Sequence, residues 1–284
     1  MRAPNARRRA SGGTARGQHL LRSDSIAAEL VEQAGIGLGE VVLEIGAGLG
    51  RLTAPLSRCA DHVIAVELDD RFARRLHARF GPRTTVEVVT GDILQIALPT
   101  SPFRVVGNVP FGVTTAVLRR LLDDPDVPLT GVDVLVEWNV ARKRAATRPS
   151  TLVSLGWQPW WDFRLVRHLQ ASAFEPRPSV DAGFLAIRRR DGPLVSPDQR
   201  PAYRALVARA FRKANLPVER SLAATLPPRV VRACLHDRAL PLNARATELD
   251  VFDWTALFAA VQAAGGQKSS NAIPSGSRKL KPEP

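Results

Sequence analysis

The sequence predicts an α/β fold: a largely parallel sheet covered by helices on both faces, followed by a small all-helical domain. Three observations predict it. Short continuous apolar runs alternate with helix-like stretches; a glycine-rich turn follows the first of those runs; and beyond Arg188-Arg189-Arg190 the strand signal stops. Strands buried on both faces read as unbroken apolar runs, and the helices between them supply the crossovers that parallel pairing needs.

Taken in order, Ser23 or Asp24 caps a helix running through Ala34. Val41–Ile45 reads as the first buried strand and Leu52–Arg58 as the helix after it. His62–Val66 is the next strand, and Asp69 is a plausible N-cap for a helix to Phe80. Thr85–Val89, Arg104–Gly107 and Val132–Val136 are further strands, with helices near Thr114–Leu122 and Trp138–Thr147 after the last two. Phe163–Val166 and Phe184–Ile187 have no clear helix between them, so the sheet is expected to end in an antiparallel pair. Tyr203–Lys213, Ser221–Thr225, Arg229–Leu235 and Asp253–Ala264 are helix-like. The expected organisation is a basic arm (1–17), a catalytic domain (18–190), a helical domain (191–264) and a polar tail (265–284), with arm and tail disordered.

The chain of 284 residues carries a formal net charge of +13, with 45% hydrophobic residues. That core fraction excludes a wholly disordered protein. The charge points to a polyanionic partner, because clustered Lys and Arg gain affinity by releasing counterions from phosphates; dispersal by self-repulsion is the alternative. Two cysteines, Cys59 and Cys234, imply no disulfide framework, and no spacing suggests a metal site. The basic N-terminus lacks the apolar core of a signal peptide, and no run approaches a membrane span, so a cytoplasmic protein is expected.

The first strand ends in Glu44-Ile45-Gly46-Ala47-Gly48-Leu49-Gly50. Glycines there let the backbone turn tightly and approach a ligand at the carboxyl edge of the sheet. Arg51 stands where a dinucleotide fingerprint needs its third glycine, which disfavours an NAD-dependent dehydrogenase and suits a ligand without a pyrophosphate. Glu67 ends the second strand, 21 residues beyond Gly46, where a carboxylate can accept both ribose hydroxyls. Asp92, in Gly91-Asp92-Ile93-Leu94, follows the third strand and can accept from an adenine amino group. Each acid alone also reads as a helix cap or turn residue.

The fourth strand ends in Gly107-Asn108-Val109-Pro110-Phe111. The exocyclic N6 of adenine is a poor nucleophile because its lone pair is delocalised into the ring. A site that accepts both N–H hydrogens, through the Asn108 side-chain carbonyl and the backbone carbonyl of Val109 or Pro110, favours a pyramidal nitrogen and frees that pair. Pro110 fixes the loop, and Phe111 offers a face for an extruded base. A structural Asn-x-Pro turn is the plainer reading of the same residues.

With these motifs in place, the chain resembles the erythromycin-resistance (Erm) rRNA adenine N6-methyltransferases, within the larger group containing the small-subunit rRNA adenine dimethyltransferases. The resemblance runs from about Gly17 to Arg190 and more weakly through the helical domain. It implies a class I, Rossmann-like methyltransferase sheet and S-adenosyl-L-methionine as cofactor. It further implies a monomer acting on one adenine of the peptidyl-transferase region of 23S rRNA, with macrolide resistance as the outcome. By resemblance, Gln18-His19-Leu20-Leu21 is the motif that closes over the methionine part of the cofactor, with His19 where the family usually has Asn. Gly46 and Gly48 belong to the glycine-loop contact, Glu67 to the ribose, Asp92 to the adenine, and Asn108 lies beside the methyl group. Asn108, Pro110 and Phe111 match the target-base motif, and Phe174, in Phe174-Glu175-Pro176, matches a second aromatic near that base. Val113–Leu118, Glu137-Trp138 and the Trp157–Trp161 stretch are Erm-like in wording.

The remaining candidates have plain alternatives. Arg142-Lys143-Arg144 and Arg188-Arg189-Arg190 either grip RNA phosphates or form a solvated face. Trp157, Trp160 and Trp161 either stack on bases or fill the core. The rival functions are small-subunit (16S) adenine dimethylation on the same fold and non-catalytic nucleic-acid binding. The latter is disfavoured by the intact Asn108, Pro110, Phe111, Glu67 and Asp92.

Overall fold

A computed structural model describes residues 18–81 and 85–270, with side chains through 264. The basic arm 1–17 and the end of the tail, 271–284, lie outside the described residues. Seven strands form one sheet: β2 (Val41–Ile45), β3 (His62–Glu67), β4 (Val86–Thr90), β5 (Phe103–Asn108), β6 (Leu129–Glu137), β7 (Trp161–Leu169) and β9 (Ala182–Arg189). Their spatial order is β4-β3-β2-β5-β6-β9-β7. Strands β2 to β6 run parallel, whereas β9 pairs antiparallel with β6 and with β7, as the missing crossover helix predicts. The order reverses between β2 and β5, so the carboxyl ends of those two strands open a crevice at the topological switch point.

Helix α1 (Asp24–Ala34) starts at Ser23, whose hydroxyl accepts from the Ile26 N–H at 3.3 Å. Helix α2 (Thr53–Cys59) follows the glycine loop, and α3 (Asp70–Phe80) is capped by Asp69, which accepts from the Arg71 N–H at 2.8 Å. The inner faces of α1, α2 and α3 join one apolar cluster with β2 and β3. Helix α4 (Thr114–Leu122) follows β5, and α5 (Trp138–Ala145) follows β6.

One pairing has no local signature. Strand β1 (Leu20–Leu21) pairs antiparallel with β8 (Phe174–Glu175), in register Leu20↔Glu175 and Leu21↔Phe174. It holds the Gln18–Leu21 segment beside the switch point.

The contacts divide the described residues into two units: 18–146 with 161–191, and 147–160 with 192–270. The stretch Thr147–Trp160, expected in the catalytic domain, therefore packs with the helical unit. There α6 (Leu152–Leu155) is followed by Trp160, whose ring meets Tyr203 edge-on at 5.9 Å, and Pro159, whose carbonyl accepts from the Leu194 N–H at 2.9 Å. The helices of this unit are α7 (Arg200–Phe211), α8 (Val218–Ser221), α9 (Pro228–Asp237) and α10 (Val251–Ser270). Helix α10 continues through Ser270, past the expected helix end at Ala264 and into the expected tail.

Burial and pairing decide two readings that the sequence leaves open. Trp157, Trp160 and Trp161 are all buried, so they fill cores rather than offering faces to bases. The Arg188–Arg190 run is structural: Arg188 pairs with buried Asp133 at 2.7 Å, Arg189 donates to the carbonyls of Leu129 and Val127, and Arg190 pairs with Asp162. In the other run Arg144 is buried, while Arg142 and Lys143 remain exposed.

Candidate active site

At the carboxyl edge of β2 and β5, a narrow open cleft is lined by Gln18, His19, Gly46, Glu67 and the Asn108–Phe111 loop. A second cleft lies alongside, lined by Leu20, Leu21, Glu44, Gly46, Arg51 and Asn108 among others. Segments far apart in sequence thus converge on one place.

Glycine is required in the loop for two reasons. Gly46 and Gly48 take φ of 70° and 56°, where a side chain is strained. A Cβ on Gly46 would also lie 2.9 Å from the Asn108 carbonyl oxygen, and one on Gly48 would lie 2.8 Å from Leu20 Cδ2. The bare backbone lets the loop, β5 and β1 approach closely and leaves the cleft open for a ligand.

Glu67 is 2% exposed and locked in place. Its Oε2 accepts from the Gly48 N–H at 2.8 Å; its Oε1 accepts from the Asp69 N–H at 2.8 Å and from Gln18 Nε2 at 3.3 Å. A carboxylate has about four acceptor positions, so the protein already fills three of them. A ribose diol held here displaces the long Gln18 contact. Leu68, the next residue, is a 61% exposed apolar side chain that the sequence reading passed over. Asp92 lies outside the lining of both clefts, and its Oδ1 accepts from the Leu94 N–H at 2.9 Å as a turn cap.

Asn108 has a defined orientation. Its Nδ2 donates to the His19 backbone carbonyl at 2.5 Å, so its Oδ1 is the end left to accept. The Pro110 carbonyl accepts from the Val113 N–H at 3.0 Å, which leaves the Val109 carbonyl as the better second acceptor. Phe111 is half-buried, lines the cleft and meets the His19 ring at 5.8 Å. Phe174 does not join them. It is fully buried in the core cluster with Leu21 as its strand partner, so it has no face free for a base and serves packing instead.

The sequence reading also missed Glu44 as a site group, although one charge inside the apolar run Val41–Ile45 was its signal. Glu44 is fully buried on the wall of the second cleft. Thr53 Oγ1 donates to its Oε2 at 2.6 Å, and its Oε1 has no protein partner among the described residues. Burial pushes its pKa from 4.5 up to about 7; the Thr53 hydroxyl opposes the shift and the Glu67 charge adds to it. A carboxyl whose pKa is raised on folding contributes stability fully below its unfolded value and loses it as pH rises through the folded one. Between about pH 4.5 and 7 the wild type is therefore expected to lose up to about 3 kcal/mol that Glu44→Gln retains. Denaturation series on both proteins across pH 4.5–8 check this; parallel curves would show that another group titrates.

Among the described residues no group of three or more His, Cys, Asp or Glu side chains is placed to hold a metal ion. No described helix is long and apolar enough to cross a membrane.

Comparison with known proteins agrees with this geometry. The family model described as ribosomal RNA adenine dimethylase matches residues 11–263. An rRNA adenine N-6-methyltransferase of Corynebacterium diphtheriae is 38% identical over 195 residues, covering 69% of this chain and 76% of that protein. The mycinamicin-resistance protein MyrB of Micromonospora griseorubida is 35% identical, covering 85% of this chain and 76% of that one. The crystal structure of the 23S rRNA methyltransferase ErmE superposes with a TM-score of 0.78 at 28% identity, over 86% of this chain and 99% of that chain. The sheet and its helical companion are thus a methyltransferase fold, and the chain belongs to the ribosomal RNA adenine dimethylase family as an rRNA adenine N6-methyltransferase.

Proposed function

We propose that this protein transfers a methyl group from S-adenosylmethionine to N6 of one adenine in the peptidyl-transferase region of 23S rRNA, and thereby confers resistance to macrolide-type antibiotics in the cytoplasm. The observation that carries the reading is the commitment of Asn108: its amide nitrogen donates to His19, which leaves its carbonyl oxygen as the acceptor of a residue that lines the cleft. The likeness to ErmE and MyrB supports the choice of the large subunit and of resistance.

The open glycine turn and buried Glu67 fit a ribose-bearing ligand, and Gln18, Gly46, Gly48 and Glu67 would hold the cofactor, which supplies the electrophilic methyl. Asn108 Oδ1 and the Val109 carbonyl accept the two N6 hydrogens and pyramidalise the nitrogen. Phe111 supports the extruded ring. Catalysis then consists mainly of positioning a neutral nucleophile, whose surplus N6 proton passes to water once the methyl–sulfur bond has broken, without a strong base. We assign the catalytic role to the sheet unit and RNA binding to the helical unit and Arg142 and Lys143, with the protein acting as a monomer on RNA not yet assembled into a subunit.

The test is methyl transfer to separate 23S and 16S transcripts, with the modified base mapped by primer extension. The expected result is one stop in the peptidyl-transferase region. A stop confined to the 16S transcript would make the protein a small-subunit enzyme instead.

A further inference from the structure

The Gln18–Leu21 segment contains a side chain with contacts of a different kind from those the resemblance implies. His19 lines the cleft beside the Asn108–Phe111 loop, and its ring meets Phe111 at a centroid distance of 5.8 Å and an interplanar angle of 40°. That separation lies within the contact range of ring pairs, so no base can enter between them. Its Nδ1 lies 2.7 Å from the Pro176 carbonyl. A carbonyl only accepts, so Nδ1 is the donor of this bond. The backbone carbonyl of the same residue holds Asn108 Nδ2. One residue therefore braces both parts of the target-base loop, the amide and the aromatic ring, and ties them to the segment after β8.

We propose that His19 is a positioning residue for the target adenine: its ring backs Phe111 and sets the face on which the extruded base stacks, while its link to Pro176 fixes the ring plane. The proposal rests on the reading that Asn108–Phe111 receives the base, and it moves the imidazole from the cofactor to the RNA side of the site. The two contacts separate by substitution. Asparagine can keep a hydrogen bond toward Pro176 but has no ring, phenylalanine keeps a ring but no donor, and alanine removes both.

The experiment uses the full chain and a hairpin transcript of the 23S peptidyl-transferase region with 2-aminopurine at the target adenine, whose fluorescence rises when the base leaves the stack. For wild type, H19A, H19N, H19F and F111A we would measure that rise, KM for the unmodified hairpin, calorimetric affinity for S-adenosylmethionine and melting temperature. H19A and H19N are expected to lose most of the fluorescence rise and to raise the RNA KM roughly tenfold. H19F should recover most but not all of the rise, because it keeps the ring and loses the Pro176 link that fixes its plane, and cofactor affinity should remain within about twofold throughout. H19A and F111A should be non-additive when combined, because they remove the same support. A wild-type fluorescence rise in both H19A and H19N, or cofactor affinity that falls in step with turnover, overturns the proposal. A wild type or F111A that contradicts base stacking on Phe111 overturns the underlying reading instead. Should H19A melt far below the others, H19N against H19F decides the matter alone.

Discussion

Replacing Asn108 by alanine is expected to lower the methyl-transfer rate by two to three orders of magnitude. The comparison is with loss of a single preorganised polar group at a reacting centre, which costs about 10²–10³ in kcat. Asn108 Nδ2 is spent on the His19 carbonyl, so the variant loses the acceptor Oδ1 and releases the 18–21 segment together. Cofactor affinity is accordingly expected to fall as well, by a smaller factor. Phe111 separates the contributions. Its proposed work is stacking, worth roughly 1–3 kcal/mol per base, so Phe111→Tyr and Phe111→Trp should keep much activity and Phe111→Ala should lose most of it. Phe111 is only half-buried, so melting temperatures should move little in these variants. Single-turnover methylation, cofactor calorimetry and melting on one set of proteins check this; wild-type turnover in Asn108→Ala would remove the acceptor mechanism.

The second large effect concerns stability. Asp133, at 0% exposure on β6, receives Arg104 Nη2 at 2.6 Å and Arg188 Nη2 at 2.7 Å. The same two guanidinium groups donate to the Ala34 carbonyl at the end of α1, at 2.7 and 3.3 Å. The cluster therefore ties the end of a helix to three strands. Asp133→Ala leaves Arg104 in the interior with only the longer Glu40 pair at 3.5 Å and the Ala34 and Gly35 carbonyls, and strips Arg188 of its carboxylate, which is expected to cost about 3 kcal/mol. For a protein of this size that lowers Tm by about 10 °C. Replacing Arg104, Asp133 and Arg188 together by Met, Leu and Met should recover most of the loss, because the penalty comes from uncompensated burial rather than from missing attraction. Thermal melts of the single and triple variants decide it; an Asp133→Ala protein that melts with wild type would mean water solvates the arginines. Residual cofactor affinity well below the melting temperature should be unchanged, since the triad lines neither cleft.

Much of the fold is legible in the linear chain because burial on both faces is a local property of a strand. Val41–Ile45, His62–Val66 and Arg104–Gly107 are apolar on both faces apart from Glu44, His62 and Arg104, and each falls within an observed strand. The glycine turn, Glu67 and the Asn108–Phe111 loop are legible for a related reason. In a parallel sheet every functional residue that follows a strand emerges at the same edge, so sequence position predicts place. Ser23 and Asp69 announce their helices because capping is a bond between near neighbours.

What only the tertiary structure decided is everything that depends on which distant groups meet. Nothing in Gln18–Leu21 indicates that it will pair with Phe174–Glu175, since two-residue strands carry no periodicity. That pairing buries Phe174 and brings His19 to Phe111. Arg188–Arg190 and Arg142–Arg144 look alike as charge runs, yet the first is consumed by Asp133, Asp162 and strand carbonyls while the second keeps two exposed cations. Trp157 and Trp161 stand four residues apart and belong to different units. In each case local propensity sets the kind of element and its buried face. Partner identity comes from long-range closure, in which contacts form only once the chain between them is folded.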